Sequence, residues 1–144
     1  MYMKGSKDVL SSIIKTTQMG QIGIYSVLKA PLQSTLRAAL KSQLEEYDAI
    51  EQEAQSIAAS RGWTLEELDP ALKGMTRIMT RAQLSFGDAE YKATAMTIEG
   101  NTKGMIKGLH NLRQLGQHDE RISKLSQKLL DCENANIRQM QGFL

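Results

Sequence analysis

Leu36, Leu40, Gln43, Tyr47, Ile50, Ala54 and Ile57 fall alternately four and three residues apart. That rhythm keeps every one of them on a single face of an α-helix and would scatter them over both faces of a strand. It recurs in three other stretches. One is Leu10, Ile14, Thr17, Gln21, Ile24 and Leu28. The next is Tyr91, Ala95, Ile98, Thr102, Met105, Leu109 and Leu112. The last is Ile122, Leu125, Leu129, Cys132, Asn136, Met140 and Phe143. A spacing near 3.5 suits helices that cross at a shallow angle, so the chain is predicted to be an all-α four-helix bundle. Its 144 residues fit one domain, and two prolines and few aromatic residues disfavour a strand-rich fold.

The boundaries follow from local signals. Ser6 is placed to cap a first helix over about 6–29, and Pro31 ends it. A second helix runs from 32 or 34 to 60, and Gly62 followed by Trp63 forms its stop. Thr64-Leu65-Glu66-Glu67 matches a capping box, and Asp69-Pro70 offers a competing start. A short additional helix is expected over 70–84, in the second-to-third helix connection. A straight helix from 70 to 115 would be about 70 Å long, so Ser85-Phe86-Gly87-Asp88 should interrupt it, with Asp88 as a new cap. The short helix is then a crossover along the bundle, or the first half of a kinked third helix in an up-down-up-down chain. The remaining helices are expected over 88–115, ended by Gly116, and 119–142.

Gly100, Gly104 and Gly108 recur every fourth residue inside the third helix. Each costs about 1 kcal/mol against alanine, and a closely approaching neighbour is the usual compensation. The stripe could face Gly20 and Gly23 of the first helix. That contact within one chain is the favoured reading; the alternative is its own copy across a two-fold axis, making a homodimer.

Each apolar line is broken near its middle by polar residues: Thr17 and Gln21, Gln43 and Tyr47, Thr102, and Asn136 beside Cys132. They are expected to meet as one buried layer and fix the helix register. Bundles of ferritin-like type keep their metals at this level, on inward glutamates and Glu-x-x-His pairs. Here the candidate ligands are Glu46, Glu99, Glu133 and Asn136, and Glu133-Asn134-Ala135-Asn136 has Asn where His should stand. Neutral amides and hydroxyls supply too little charge for two iron ions. No cofactor is expected, the alternative being iron or manganese on these residues.

Met96-Thr97-Ile98-Glu99-Gly100-Asn101-Thr102-Lys103-Gly104, and Glu133-Asn134-Ala135-Asn136-Ile137-Arg138-Gln139-Met140 with the closing Phe143-Leu144, resemble a group of small bacterial proteins of ferritin-like bundle type. The resemblance implies a ferritin-like four-helix bundle and carries no established activity.

Other chemistries find little support. Cys132 lies on an apolar line far in sequence from His110 and His118, as an inert buried thiol does. One cysteine makes no internal disulfide and suggests a reducing, cytoplasmic setting. The first residues lack the apolar core of a signal peptide, and no run is long enough to span a membrane. Lys73, Arg77 and Arg81 form a basic row, but a net charge of +2 and no aromatic platform argue against nucleic acid. The expected function is a non-catalytic helical scaffold or protein-interaction protein, possible as a homodimer. The alternative is a metal-binding protein or oxidoreductase with a degenerate site.

Overall fold

The computed structural model describes residues 5–74, 87–114 and 119–144. Among them every regular element is helical. The helices are α1 (Ser6–Val27), α2 (Ser34–Ser60), α3 (Ala89–Gln114) and α4 (Glu120–Gln141). None is long and apolar enough to cross a membrane.

The helix ends follow the local chemistry, with two exceptions. Gly62 takes φ +67°, and Trp63 N–H and Gly62 N–H donate to the carbonyls of Ala58 and Ala59. This pair of bonds closes α2 as a Schellman motif, which favours glycine at the left-handed position. Asp88 accepts from the amides of Glu90 and Tyr91, and Asp119 accepts from that of Ile122, so both acids cap their helices. Ser6, by contrast, is the first residue of α1, and the cap position belongs to Gly5, which offers no side chain. The capping box at Thr64 starts no helix either. Residues 63–69 are irregular, helix begins at Pro70, and Asp69 Oδ1 accepts from Ala71 N–H. Of the short helix expected over 70–84, residues 70–74 are helical and the rest lies outside the described residues, as does Gly116.

Three contacts set the directions of the helices. The amide of Gln33, just before α2, donates to Glu90 at the start of α3. Arg61, just past α2, pairs with Asp119 at the start of α4. Asn111 near the end of α3 donates to Ser12 near the start of α1. So α2 and α3 run the same way, and α1 and α4 run opposite to them. Helix α3 thus starts at the end of the bundle where α2 starts, unlike the third helix of an up-down-up-down chain. The described residues just after α2 meet α1: Leu68 N–H donates to Gln18 Oε1, and Lys15 meets Glu66. Beyond its predicted line α1 also buries Val9, Ser11, Ser12 and Ile13, and Ser12 is met by Asn111 of α3.

The core joins Leu10, Ile14, Leu36, Leu40, Ile50, Ile57, Ile122 and Leu125 from three helices. The α2 line is buried from Leu36 to Ile57 as its spacing predicts. The α3 line is not. Besides Ala93, its buried residues are Thr94, Thr97, Asn101, Gly104, Gly108 and Asn111, each one position before the predicted one. One residue is about 100° of helix rotation. The apolar line is turned aside, leaving Tyr91 57% and Leu109 37% exposed. Space at Gly104 decides this: α3 packs on α1 and α4 through small and polar side chains, and a β-carbon on Gly104 would stand 2.7 Å from Glu133 Oε1.

Candidate functional site

Four buried side chains meet where the helices cross. Tyr47 Oη, from α2, donates to Glu133 Oε2, from α4, at 2.9 Å. Asn101, from α3, directs its amide hydrogens at Tyr47 Oη (3.0 Å), Glu133 Oε2 (3.1 Å) and Gln43 Oε1 (3.4 Å). Asn136 is buried one turn beyond Glu133. Position follows from spacing: Gln43 and Tyr47 continue the α2 line, and Ser126, Leu130 and Glu133 join the α4 face that lies under α3.

Two glycines make room for this cluster. A β-carbon on Gly20 would stand 2.6 Å from the Tyr47 ring, and one on Gly104 would stand 2.7 Å from Glu133 Oε1. Such atoms cannot coexist, so α1 and α3 must carry glycine there for the ring and the carboxyl to fit. The close approach is of side chain to backbone. Gly100 is exposed and meets nothing within 4 Å, and neither does Gly23. The expected stripe thus reduces to Gly104 and Gly108, and it packs within one chain, with Gly20 opposite Tyr47 and not opposite the stripe.

Glu133 is fully buried (0% exposed), and its carboxyl is pushed up to about 7. Burial is the main cause; the bonds from Tyr47 and Asn101 favour the ionised form, and nearby Glu46 opposes it. The Tyr47 hydroxyl is raised by burial and then by the charge of Glu133, so it stays a donor. Among the described residues Glu133 Oε1, Asn101 Oδ1, Gln43 Nε2 and Asn136 Nδ2 have no hydrogen-bond partner. Buried polar atoms left this way are costly, and such groups concentrate where function requires them.

Glu133, Asn101 and Tyr47 form the floor of a cleft of about 590 Å³ between α1 and α3. Its walls include Met19, Ile24, Val27, Leu68 and Met96, and its rim carries Lys15, Glu99, Lys103 and Lys107.

The predicted layer is therefore present but differently composed. Gln43, Tyr47 and Asn136 belong to it. Thr17 is buried, yet its hydroxyl bonds its own helix at Ile13 and Ile14. Gln21 turns to Glu51, and Thr102 bonds back to Ile98. Asn101 and Glu133 take their place, so the centre is not neutral.

The candidate metal ligands are spread out. Glu133 and Asn136 are in the layer, Glu46 is half-buried on α2, and Glu99 is exposed on the rim. Among the described residues no three His, Cys, Asp or Glu side chains gather where they could hold a metal ion. One buried carboxyl among neutral amides does not fit an iron or manganese centre, which wants several carboxylates or imidazoles.

Cys132 is half-buried, not buried, and its thiol is pushed up to about 12 by burial and by donating to Glu46. It is a poor nucleophile. Of the basic row, Lys73 is half-buried, and Arg77 and Arg81 lie outside the described residues.

Glu133 is among the residues the sequence singles out, but Asn101 is not, because it stands beside the apolar line of its helix. The signal available was Gly104: if it faces inward, Asn101 must too, one turn earlier on the same face.

Comparison with known proteins finds no family model, no curated protein and no solved structure that matches the chain.

Proposed function

We propose that this chain is a non-catalytic binding protein, a ferritin-like four-helix bundle that takes a small, largely apolar ligand in the α1–α3 cleft. The observation that carries this reading is the opening of an apolar-walled cleft onto the buried Glu133 carboxyl. Pockets with apolar walls and a few convergent polar groups are typical ligand sites. The ferritin-like assignment is supported by α2 and α3 running the same way. The two segments that resemble such bundles also supply Asn101, Gly104, Glu133 and Asn136.

Binding is favoured over catalysis by where the donors point. A carboxyl near pH 7 suits a general base. A base alone leaves the developing negative charge of its substrate unsupported. Here the Tyr47 hydroxyl and the Asn101 amide, the deep donors, are both turned onto Glu133.

Titration with 1-hexanol, followed by amide NMR, tests the reading. Shifts centred on Gly20, Gly104 and Met96 support it. Absence of any shift at millimolar alcohol overturns it.

A homodimer is the second reading of the partner. Tyr91, Ile106 and Leu109 on α3 are its support, since all three are exposed apolar side chains on one helix. Sedimentation separates monomer from dimer.

A further inference from the structure

We infer that the cleft selects a primary ammonium carried on an apolar body, with the ammonium seated between Glu133 Oε1 and Asn101 Oδ1. This rests on the reading of the cleft as a binding site and names the ligand chemistry it would take. The floor presents two buried acceptors without partners, Glu133 Oε1 and Asn101 Oδ1. Its donors are committed: Tyr47 Oη–H to Glu133, and the Asn101 amide to Tyr47, Glu133 and Gln43. A floor with acceptors and no spare donor asks for a ligand group that only donates. An ammonium has three hydrogens and no acceptor, and its charge offsets the cost of an ionised buried carboxylate.

Gly104 lets the Glu133 carboxyl pack against the α3 backbone, since a β-carbon there would stand 2.7 Å from Oε1. Thr16 of α1 lies against the same spot with its methyl group and also lines the cleft. Met19, Ile24 and Met96 then line the path outward and match an alkyl or aryl body. The rim does not bar a cation. Lys15 is held by Glu66 at 2.7 Å, and Glu99 shares the rim with Lys103 and Lys107.

An ammonium bound there makes Glu133 ionise, and the proton leaves to solvent. Charged and titratable neighbours of this carboxyl are Tyr47 and Glu46 of α2, Lys15 of α1, and Glu99, Lys103 and Lys107 of α3. With the free carboxyl titrating at about 7, binding at pH 7 should release roughly half a proton.

The test is calorimetry and amide NMR with n-hexylammonium, 1-hexanol and hexanoate on the full chain. The amine is expected to shift the Gly20 and Gly104 amides and to bind at least tenfold more tightly than either analogue. Its heat at pH 7 should differ between phosphate and Tris by that fractional proton release. Glu133→Gln should lose at least tenfold in amine affinity. Hexanol binding as tightly as the amine, or a buffer-independent amine heat, overturns the ammonium assignment and leaves the cleft reading intact. Silence from all three probes overturns both. The wild-type buffer dependence decides the matter even if the variant fails to fold.

Discussion

Gly104 and Glu133 face each other so closely that the carboxyl occupies the place of the missing side chain, with Oε1 2.7 Å from where a β-carbon would be. A helix-interior glycine normally loses about 1 kcal/mol to alanine. At Gly104 that preference should reverse. Gly104→Ala is expected to destabilise by about 1–3 kcal/mol, and Gly104→Leu by more, because the layer has to move. Gly100→Ala, in open space on the same helix, should instead stabilise by up to about 1 kcal/mol. Urea unfolding of the two alanine variants reads the opposite signs directly, and equal behaviour would remove the packing role assigned to Gly104.

Glu133 should make the protein less stable as pH rises from about 4.5 to about 7. Its folded carboxyl titrates at about 7 against 4.5 unfolded, so between those values the folded state holds the extra proton. Stability falls with pH wherever the folded state binds more protons, and it levels off once both states are ionised. The contribution is on the order of 3 kcal/mol across the window. Glu133→Gln should flatten that slope and gain on the wild type at pH 8 relative to pH 5. Urea midpoints at the two values test it.

The four long helices and several of their ends were legible in the sequence because period and capping are local, although Ser6 and Thr64 cap no helix. Gly62, Asp88 and Asp119 each act within a few residues of their own position. The rotation of α3 was not, because two local rules disagree there. Hydrophobicity places Met105 and Leu109 inside, and the cost of mid-helix glycine places Gly104 and Gly108 inside. These two lines stand about 100° apart and cannot both face the centre. Packing decides for the glycines, since Glu133 needs the space at Gly104. The same conflict hid the site. Glu133 looks like a shoulder residue beside Cys132 until Asn101 and Tyr47 are known to reach it, and both lie on other helices.

Asp119 ties the end of α2 to the start of α4, and this should show in acid. Its carboxyl is held down at about 2, mainly by Arg61 and also by the Ile122 amide it caps. A lowered carboxyl stabilises fully above its unfolded value of 3.8, and the benefit is lost as pH falls through the folded value. Asp119→Ala should cost about 1 kcal/mol at neutral pH from the cap alone. The gap between variant and wild type should narrow as pH is lowered from about 4 to about 2. Circular dichroism during acid titration measures it.

Tyr47→Phe removes one hydroxyl that both accepts from Asn101 and donates to Glu133. The ring still fits against Gly20, so volume is unchanged and the effect isolates the hydrogen bonds. Loss of a buried partner costs about 1–3 kcal/mol. The cost should be larger at pH 8 than at pH 5, because the bond to an ionised carboxylate is the stronger one. The carboxyl also loses a donor that favoured its charged form, so a ¹³C titration should find Glu133 above its wild-type value of about 7. Paired with Glu133→Gln in a double-mutant cycle, the two changes should be non-additive by 0.5 kcal/mol or more, about what contacting residues show. Additive energies would mean that the phenol and the carboxyl do not act as one unit.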